Sequence, residues 1–133
     1  MGRMQIPKVL AIDYGTVRVG IAVSAGELAD PVVVLPNTPQ LYAQIVELAT
    51  SLQAELLLVG LSENKMAEYT QEFAQKLKEH TNLPLLFADE TLSSYIVHKK
   101  LLHAKKSKRS GAIDHYAAAE FLQAWLDEYE KNI

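Results

Sequence analysis

The sequence predicts an α/β domain in which a five-stranded mixed sheet is flanked by helices. Three apolar, β-branched runs follow one another early in the chain, and two later apolar runs are each preceded by a segment of helical period. Strands joined by short turns pair antiparallel, whereas strands joined through a helix need a crossover and run parallel. We therefore expect a three-strand meander followed by two crossover strands, in a single domain spanning residues 1–133.

The first two strands are predicted between Lys8 and Ser24. The apolar run Val9–Ile12 is too short for a helix, and Asp13-Tyr14-Gly15-Thr16 interrupts it with turn-forming residues. Strand periodicity then resumes, with larger apolar residues at every second position, namely Val17, Val19, Ile21 and Val23. Asp13 is expected at the carboxyl end of a central strand, where open α/β sheets bind ligands. The alternative is that Asp13 only forms the turn.

The middle of the chain supplies a third strand, a helix and a fourth strand. Pro31–Leu35 is an apolar run bounded by prolines and is the predicted third strand. The next helix is expected to have Thr38 as its cap and Pro39 in its first position, and to end before Glu55. The unbroken apolar run Leu56–Val59 indicates a strand that is buried on both faces, as in a parallel sheet.

The second half of the chain is predicted to be mostly helical. Its expected elements are a helix over Met66–His80 closed by Asn82, a strand over Pro84–Ala88, a helix from Thr91 or Ser93 toward His103, and a last helix from Ser110 or Ile113. The first of these helices should carry Tyr69, Phe73 and Leu77 on one apolar stripe. The bulky or core-facing residues of the last helix are predicted to be Tyr116, Ala117, Phe121, Leu122, Trp125 and Tyr129.

Composition excludes several kinds of protein. The absence of cysteine rules out disulfides, zinc–thiolate sites and a cysteine nucleophile. No stretch approaches the roughly 20 apolar residues of a membrane span, so we expect a cytoplasmic protein. The formal net charge is only −3, but six of the 13 basic residues share a window without acids: Lys99, Lys100, Lys105, Lys106, Lys108 and Arg109. This basic strip is either a solvated surface or, as we favour, a contact for nucleic acid.

Acidic residues from three elements are expected to meet at one end of the sheet. Asp13 follows the first strand, Asp89-Glu90 follows the fifth, and Asp114 lies in the opening turn of the last helix. Neighbouring carboxylates repel one another and need a cation, and oxygen ligands without cysteine or a histidine pair select Mg²⁺ or Mn²⁺. Such a site suits phosphoryl transfer. The structural alternatives are that Asp89 caps a helix and that Glu90 and Asp114 only complement helix dipoles.

These residues resemble the YqgF/RuvX family, described as pre-16S rRNA nucleases or Holliday-junction-resolvase-like proteins with an RNase H-like fold. The resemblance covers nearly the whole chain through IDYGTVRVGIAVS, the VGL after the fourth strand, DETLSS and IDHYAAAEFLQAWL, in that order. It implies that Asp13, Glu90 and Asp114 are catalytic and hold the metal, and that Arg18 matches a family arginine, which either pairs with a neighbouring carboxylate or contacts phosphate. The chain departs from the family in its loop Gly60–Ala67, which lacks the usual proline and second glycine.

The resemblance implies a metal-dependent endonuclease that processes structured RNA, most specifically at the 5′ end of precursor 16S rRNA during ribosome biogenesis. The alternatives are a Holliday junction resolvase acting on branched DNA, or a non-catalytic module of the same fold that binds nucleic acid or the ribosome. The Asp-Tyr-Gly-Thr turn also resembles the phosphate loop of actin-like and sugar-kinase folds, which need two such domains. A monomer or a homodimer is expected, and a two-fold dimer would suit cutting on both sides of a duplex or junction.

Overall fold

The computed structural model of this chain describes residues 6–61, 66–89 and 112–131, with only the backbone given for residues 89, 112–115, 130 and 131. The strands are β1 (Val9–Asp13), β2 (Arg18–Ala25), β3 (Leu28–Pro36), β4 (Leu56–Leu61) and β5 (Leu85–Asp89), and the helices are α1 (Leu41–Ser51), α2 (Met66–Lys78) and α3 (Ala112–Lys131). None of the helices in these ranges is long and apolar enough to span a membrane.

The five strands form one mixed sheet in the order β3-β2-β1-β4-β5. β2 pairs antiparallel with both β1 and β3, whereas β4 is parallel to β1 and β5 is parallel to β4. This confirms the predicted meander with two crossover strands. β1, β4 and β5 therefore finish at the same end of the sheet, which we call the carboxyl end. The opposite end carries the β2–β3 turn at Gly26 and Glu27, and we call it the turn end.

Side chains alternate along each strand, so the apolar strands present apolar side chains on both faces of the sheet. Helices cover both faces. Leu10 and Ile12 of β1 belong to the core that includes residues of α1 and α2, such as Ile45 and Phe73. On the other face, the core packs against α3 and consists of Val9, Ala11, Ala22, Leu56, Leu58, Ala88, Ala118, Phe121, Leu122 and Leu126. Small residues of β1 and β2 on this face leave room for the aromatic and leucine side chains of α3.

The third strand begins at Leu28, three residues before the predicted start at Pro31. The added residues are held by pairing with the end of β2, since Ala25 is opposite Leu28. The register shifts beside Pro31: Ala22 is opposite Pro31 and Ile21 is opposite Val33, which leaves one extra residue in β3. Such a bulge accommodates a proline, which cannot donate to the ladder, on this outer strand of the sheet.

The predicted boundaries of α1 were wrong at its start. The helix begins at Leu41, and Gln40 precedes it without a side-chain capping bond. Thr38 forms a turn ahead of the helix instead, because its hydroxyl accepts the Gln40 N–H at 3.3 Å and its carbonyl accepts the Leu41 N–H at 3.0 Å. At the other end, Gln53 adopts φ 59°, the left-handed conformation usually supplied by glycine after a helix.

Two expectations for α2 were also wrong. The helix is closed by backbone bonds from Glu79 to Lys76 and from His80 to Leu77, and Asn82 does not have the positive φ of a left-handed cap. Tyr69 is 54% exposed. The buried stripe consists of Thr70, Phe73, Ala74 and Leu77. At 100° per residue, Tyr69 is about 90° around the helix from the centre of that stripe, so it lies beyond the edge of the buried face.

The last helix packs on the sheet with a slightly different face from the predicted one. Ala117, Phe121 and Leu122 are buried as expected, and the prediction omitted Ala118 and Leu126, which are also buried. Tyr116 is 48% exposed, because it is on the opposite side of the helix from this stripe. Trp125 is partly buried and stacks on Tyr129 with 5.2 Å between ring centroids. The helix predicted toward His103 lies outside the described residues.

Candidate active site at the carboxyl end of the sheet

Asp13 is the last residue of the central strand β1 and is half-buried at the carboxyl end. Its backbone is opposite Gly20 of β2. Because Asp13 is two residues after Ala11, which packs on the α3 face, the alternation of the strand places Asp13 on that face as well. The predicted key carboxylate therefore lies on the side of the sheet that α3 covers.

The loop after Asp13 is packed against α2. The Tyr14 ring stacks on Phe73 with a centroid distance of 4.4 Å, and Phe73 in turn stacks on Tyr42 at 5.6 Å. Burial raises the pKa of the Tyr42 phenol above its ordinary value of 10.0, and the nearby Tyr14, Glu72 and Glu79 raise it further. The phenol of Tyr42 is therefore neutral at physiological pH, so this aromatic stack supports the loop without a charge.

Two contacts of Asn37, the residue after β3, close the same loop. The Asn37 side-chain amide donates a hydrogen bond to the Gly15 carbonyl at 2.7 Å, and the Asn37 backbone N–H donates to the Val17 carbonyl at 2.9 Å. Gly15 is required by sterics, since a Cβ there would collide with the carbonyl oxygen of Arg18. The loop is thus held by its contacts with α2 and with Asn37. Asn37 was not among the functional residues predicted from the sequence.

The loop presents three exposed residues, Thr16, Val17 and Arg18, which we call the loop tip. Val17 is 70% exposed although the sequence pattern predicted it in the strand. Arg18 is the first residue of β2, and its alternation with Gly20 places it on the same face as Asp13. The structure therefore brings the predicted Arg18 and Asp13 to the same end and face of the sheet.

The parallel strands bring β4 and β5 beside Asp13. Ile12 pairs with Val59 and Gly60 pairs with Ala88, so Asp13, Gly60 and Ala88 lie in neighbouring strands at about the same level. Two strand spacings make Asp13 and Ala88 about 10 Å apart in the sheet. Asp89 follows as the last residue of β5, opposite Leu61. Glu90 lies outside the described residues.

The start of α3 lies at the opposite end of the sheet from the turn end. The Gln123 side chain binds the turn end, because it accepts the Ala29 N–H at 2.9 Å and donates to the Glu27 carbonyl at 2.8 Å. Asp114 precedes Gln123 by nine residues, which is about 13 Å along a helix. The strand length from the turn end to the level of Asp13 is about 16 Å. The backbone of Asp114 is therefore placed near the carboxyl end.

The remaining predicted residues are only partly described. The basic strip Lys99, Lys100, Lys105, Lys106, Lys108 and Arg109 lies outside the described residues, as do residues 62–65 of the loop Gly60–Ala67. Among the side chains that the structure does describe, no group of three His, Asp or Glu could hold a metal ion. The predicted carboxylate set extends beyond those side chains, because it includes Glu90 and Asp114.

Comparison with known families and proteins gives a consistent match. A family model described as "RuvX: Holliday junction resolvase" matches residues 7–128. A protein of Sulfurihydrogenibium sp. named "Putative pre-16S rRNA nuclease" is 32% identical over 130 residues, which cover 90% of each chain. A protein of Synechococcus sp. with the same name is 35% identical over 132 residues, covering 90% of this chain and 88% of its own.

Two solved structures of similar fold are resolvases of low sequence identity to this chain. RuvC of T. thermophilus, in a complex with a Holliday junction substrate, superposes with a TM-score of 0.57 at 16% identity, covering 94% of this chain and 96% of its own. The Fowlpox virus resolvase, in complex with Holliday junction DNA, gives a TM-score of 0.54 at 9% identity, covering 92% of this chain and 98% of its own. At these identities the likeness establishes the fold.

Proposed function

Because this chain belongs to the RuvX family, whose fold is RuvC-like and RNase H-like, we propose that it is a metal-dependent endonuclease acting on structured RNA. The proposed substrate is precursor 16S rRNA in the cytoplasm, and the proposed reaction is phosphodiester hydrolysis that matures its 5′ end. The observation that carries this proposal is the position of Asp13, half-buried at the carboxyl end of the central strand, on the face of the sheet that α3 covers.

Asp13, Glu90 and Asp114 are the residues that would hold the metal. Position 114 precedes the buried Ala118 by four residues, a spacing that belongs to one stripe of a helix. In the sequence, Glu90 directly follows Asp89, the last residue of β5. A set of three carboxylates suits Mg²⁺ or Mn²⁺, which when bound supplies Lewis-acid stabilisation of the phosphodiester and an activated water.

The protein's own residues would bind and orient the RNA. Arg18 and the six cations of the basic strip are proposed to contact backbone phosphates, which would make binding depend on salt. The fixed loop from Tyr14 to Val17 keeps the backbone next to Asp13 in one conformation, so the carboxylate is positioned before the substrate arrives. Positioning of this kind removes part of the entropic barrier to phosphoryl transfer.

The test is cleavage of a 5′-extended 16S rRNA precursor in the presence of Mg²⁺, Mn²⁺ or a chelator. Asp13→Asn removes a carboxylate charge with little change in shape, and we expect cleavage to fall by about a hundredfold or more, equal to about 3 kcal/mol, with RNA binding retained. Asp30→Asn, at an exposed aspartate of β3, is the matched control and should cleave normally. Cleavage by the Asp13→Asn variant at the wild-type rate would contradict the proposal.

A four-way DNA junction belongs in the same experiment, because the matching family model is described as a Holliday junction resolvase. Metal-dependent cutting of the junction but not of the RNA would replace RNA processing with junction resolution while keeping the same carboxylates. Binding of either nucleic acid without cutting, unaffected by a chelator, would support the non-catalytic module.

A further inference from the structure

We propose that the loop tip, Thr16–Arg18, is a preformed contact for the nucleic-acid substrate, in which Val17 packs against a sugar or base and Arg18 meets a phosphate. This inference rests on the proposed nuclease function and adds an apolar contact to it. It concerns Val17 above all, because neither the sequence pattern nor the carboxylate site assigns a role to that residue.

The exposure of Val17 is the first observation. Of the described large apolar side chains that are exposed, Val17 has the highest exposed fraction, 70%, followed by Leu28 with 65%. Single exposed apolar residues are common and by themselves need no explanation. Leu28 lies at the turn end, where β3 begins, and Val17 lies at the carboxyl end, four residues after Asp13. Because Val17 and Leu28 are similarly exposed but lie at opposite ends of the sheet, Leu28 can serve as a control for Val17.

The second observation is that the loop tip is held in one conformation. The Val17 carbonyl accepts the Asn37 N–H, the Gly15 carbonyl accepts the Asn37 side-chain amide, and Tyr14 is stacked on Phe73. An apolar side chain presented by a fixed loop loses little conformational freedom when a ligand covers it, so more of the contact energy contributes to affinity. A fixed loop is not needed merely to expose a valine to water.

The third observation is the chemistry on either side of Val17. Thr16 offers a hydroxyl and Arg18 a guanidinium, and both are exposed. A nucleotide presents a phosphate for the guanidinium, oxygens for the hydroxyl and an apolar sugar or base face for the valine. Arginine contacts to phosphate position a nucleic acid, whereas stacking or apolar contacts to sugars and bases carry no charge. The loop tip therefore fits a nucleic-acid strand leading to Asp13.

The experiment measures binding of a labelled 5′-extended 16S precursor RNA and a labelled four-way DNA junction at several salt concentrations, with Asp13→Asn as the parent to prevent cleavage. Adding Val17→Ser should weaken binding by about tenfold, the effect of losing one apolar side-chain contact. The slope of log affinity against log salt should not change. Adding Arg18→Gln should weaken binding and reduce that slope by about one. Val17→Ile should bind as tightly as the parent.

The matched control is Leu28→Ser, which removes a similarly exposed apolar side chain at the turn end and should leave binding unchanged. Equal affinity of the parent and the Val17→Ser variant would overturn the inference while the nuclease function stands. An equal loss with Val17→Ser and Leu28→Ser would also overturn it, because the effect would not be local. If the parent binds neither nucleic acid, the proposed function fails and this inference fails with it.

Discussion

An amide side chain makes a hydrogen bond at the carboxyl end of the sheet, and another does so at the turn end. The two amides connect different parts of the fold. At the carboxyl end, Asn37 binds Gly15, which is 22 positions away, so the end of β3 is tied to the loop beside Asp13. At the turn end, Gln123 binds Glu27, which is 96 positions away, so α3 is tied to the sheet. The first contact fixes a loop, and the second joins two layers of the fold.

The glycines at the two ends differ in the same way. Gly26 at the turn end has φ 63° and open space around the position of a Cβ, so it supplies only backbone conformation. Gly15 at the carboxyl end is required because the Arg18 carbonyl oxygen occupies the space of a Cβ. Of these two glycines, the closely packed one therefore lies at the end that carries the candidate site.

The largest effect within this comparison is expected from Gly15→Ala, set against Gly26→Ala. In the first variant the new methyl meets a backbone oxygen, so the start of β2 has to move; we expect unfolding free energy to fall by about 1–3 kcal/mol. Cleavage should fall by more than tenfold, since Asp13 is adjacent to the displaced loop. Gly26→Ala should cost about 1–2 kcal/mol, from the left-handed backbone alone, with normal cleavage. Urea unfolding and cleavage rates measure both effects.

Full cleavage activity in the Gly15→Ala variant would show that the geometry of the loop does not matter to the site. Equal losses of activity in the two glycine variants, in proportion to their stability, would show that the ends do not differ in function.

A smaller effect on cleavage is expected when the two amide side chains are removed. In this pair, the variant that loses more stability should lose less activity. Asn37→Ala removes one hydrogen bond and should cost about 1 kcal/mol, and we expect a several-fold loss of cleavage because the loop beside Asp13 is less fixed. Gln123→Ala removes bonds to both Ala29 and Glu27 and should cost about 1–3 kcal/mol with cleavage unchanged at temperatures where the variant is folded. The less destabilised variant should thus be the less active one.

Thermal unfolding, together with kcat and KM for the RNA precursor, separates these outcomes. Loss of activity in the Gln123→Ala variant, or unchanged kinetics in the Asn37→Ala variant, would contradict this comparison. Asn37 would then have no special role in positioning the loop beside Asp13.

The sheet could be predicted from the sequence because its signals are local. The apolar runs of β1 and β4, with the helical segments before β4 and β5, indicate crossover connections and therefore strands that run parallel to β1. The helix ends were predicted less well: Thr38 and Asn82 are residue types that favour caps, but backbone turns took their places. Tyr116 was predicted among the bulky or core-facing residues of α3, but α3 packs on the sheet with its other side, so Tyr116 is exposed.

The candidate site could be predicted in part for the same reason. Asp13 follows an apolar run directly, so its position at a strand end is visible in the sequence, and the structure confirms that position. Asn37 could not be found, because its contact depends on the pairing of Arg18 with Pro36, which brings position 37 beside the loop. The roles of Glu90, Asp114 and the basic strip stay predictions. The same assays can test them with variants of those residues.

The smallest expected effect comes from Tyr42, whose ring supports the carboxyl end through Phe73 and Tyr14. The pKa of this phenol in the folded protein is raised above 10.0, chiefly by burial. The unfolded chain therefore releases the proton at a lower pH than the folded chain does, and stability falls as pH rises from about 10 through the folded pKa. Tyr42→Phe removes that proton, so the variant should lose less stability above pH about 10 than the wild type.

Urea unfolding from pH 8 to 11 would measure this difference, with Tyr69→Phe, at an exposed ring of α2, as the control. The Tyr42→Phe and wild-type curves should run parallel below pH about 9 and converge or cross above it, because only the wild type has to ionise a phenol packed among Glu72, Glu79 and Tyr14. Curves that stay parallel to the highest pH would show that the stack beneath the Asp13 loop tolerates a charge, and that the carboxyl end is held less tightly than its packing indicates.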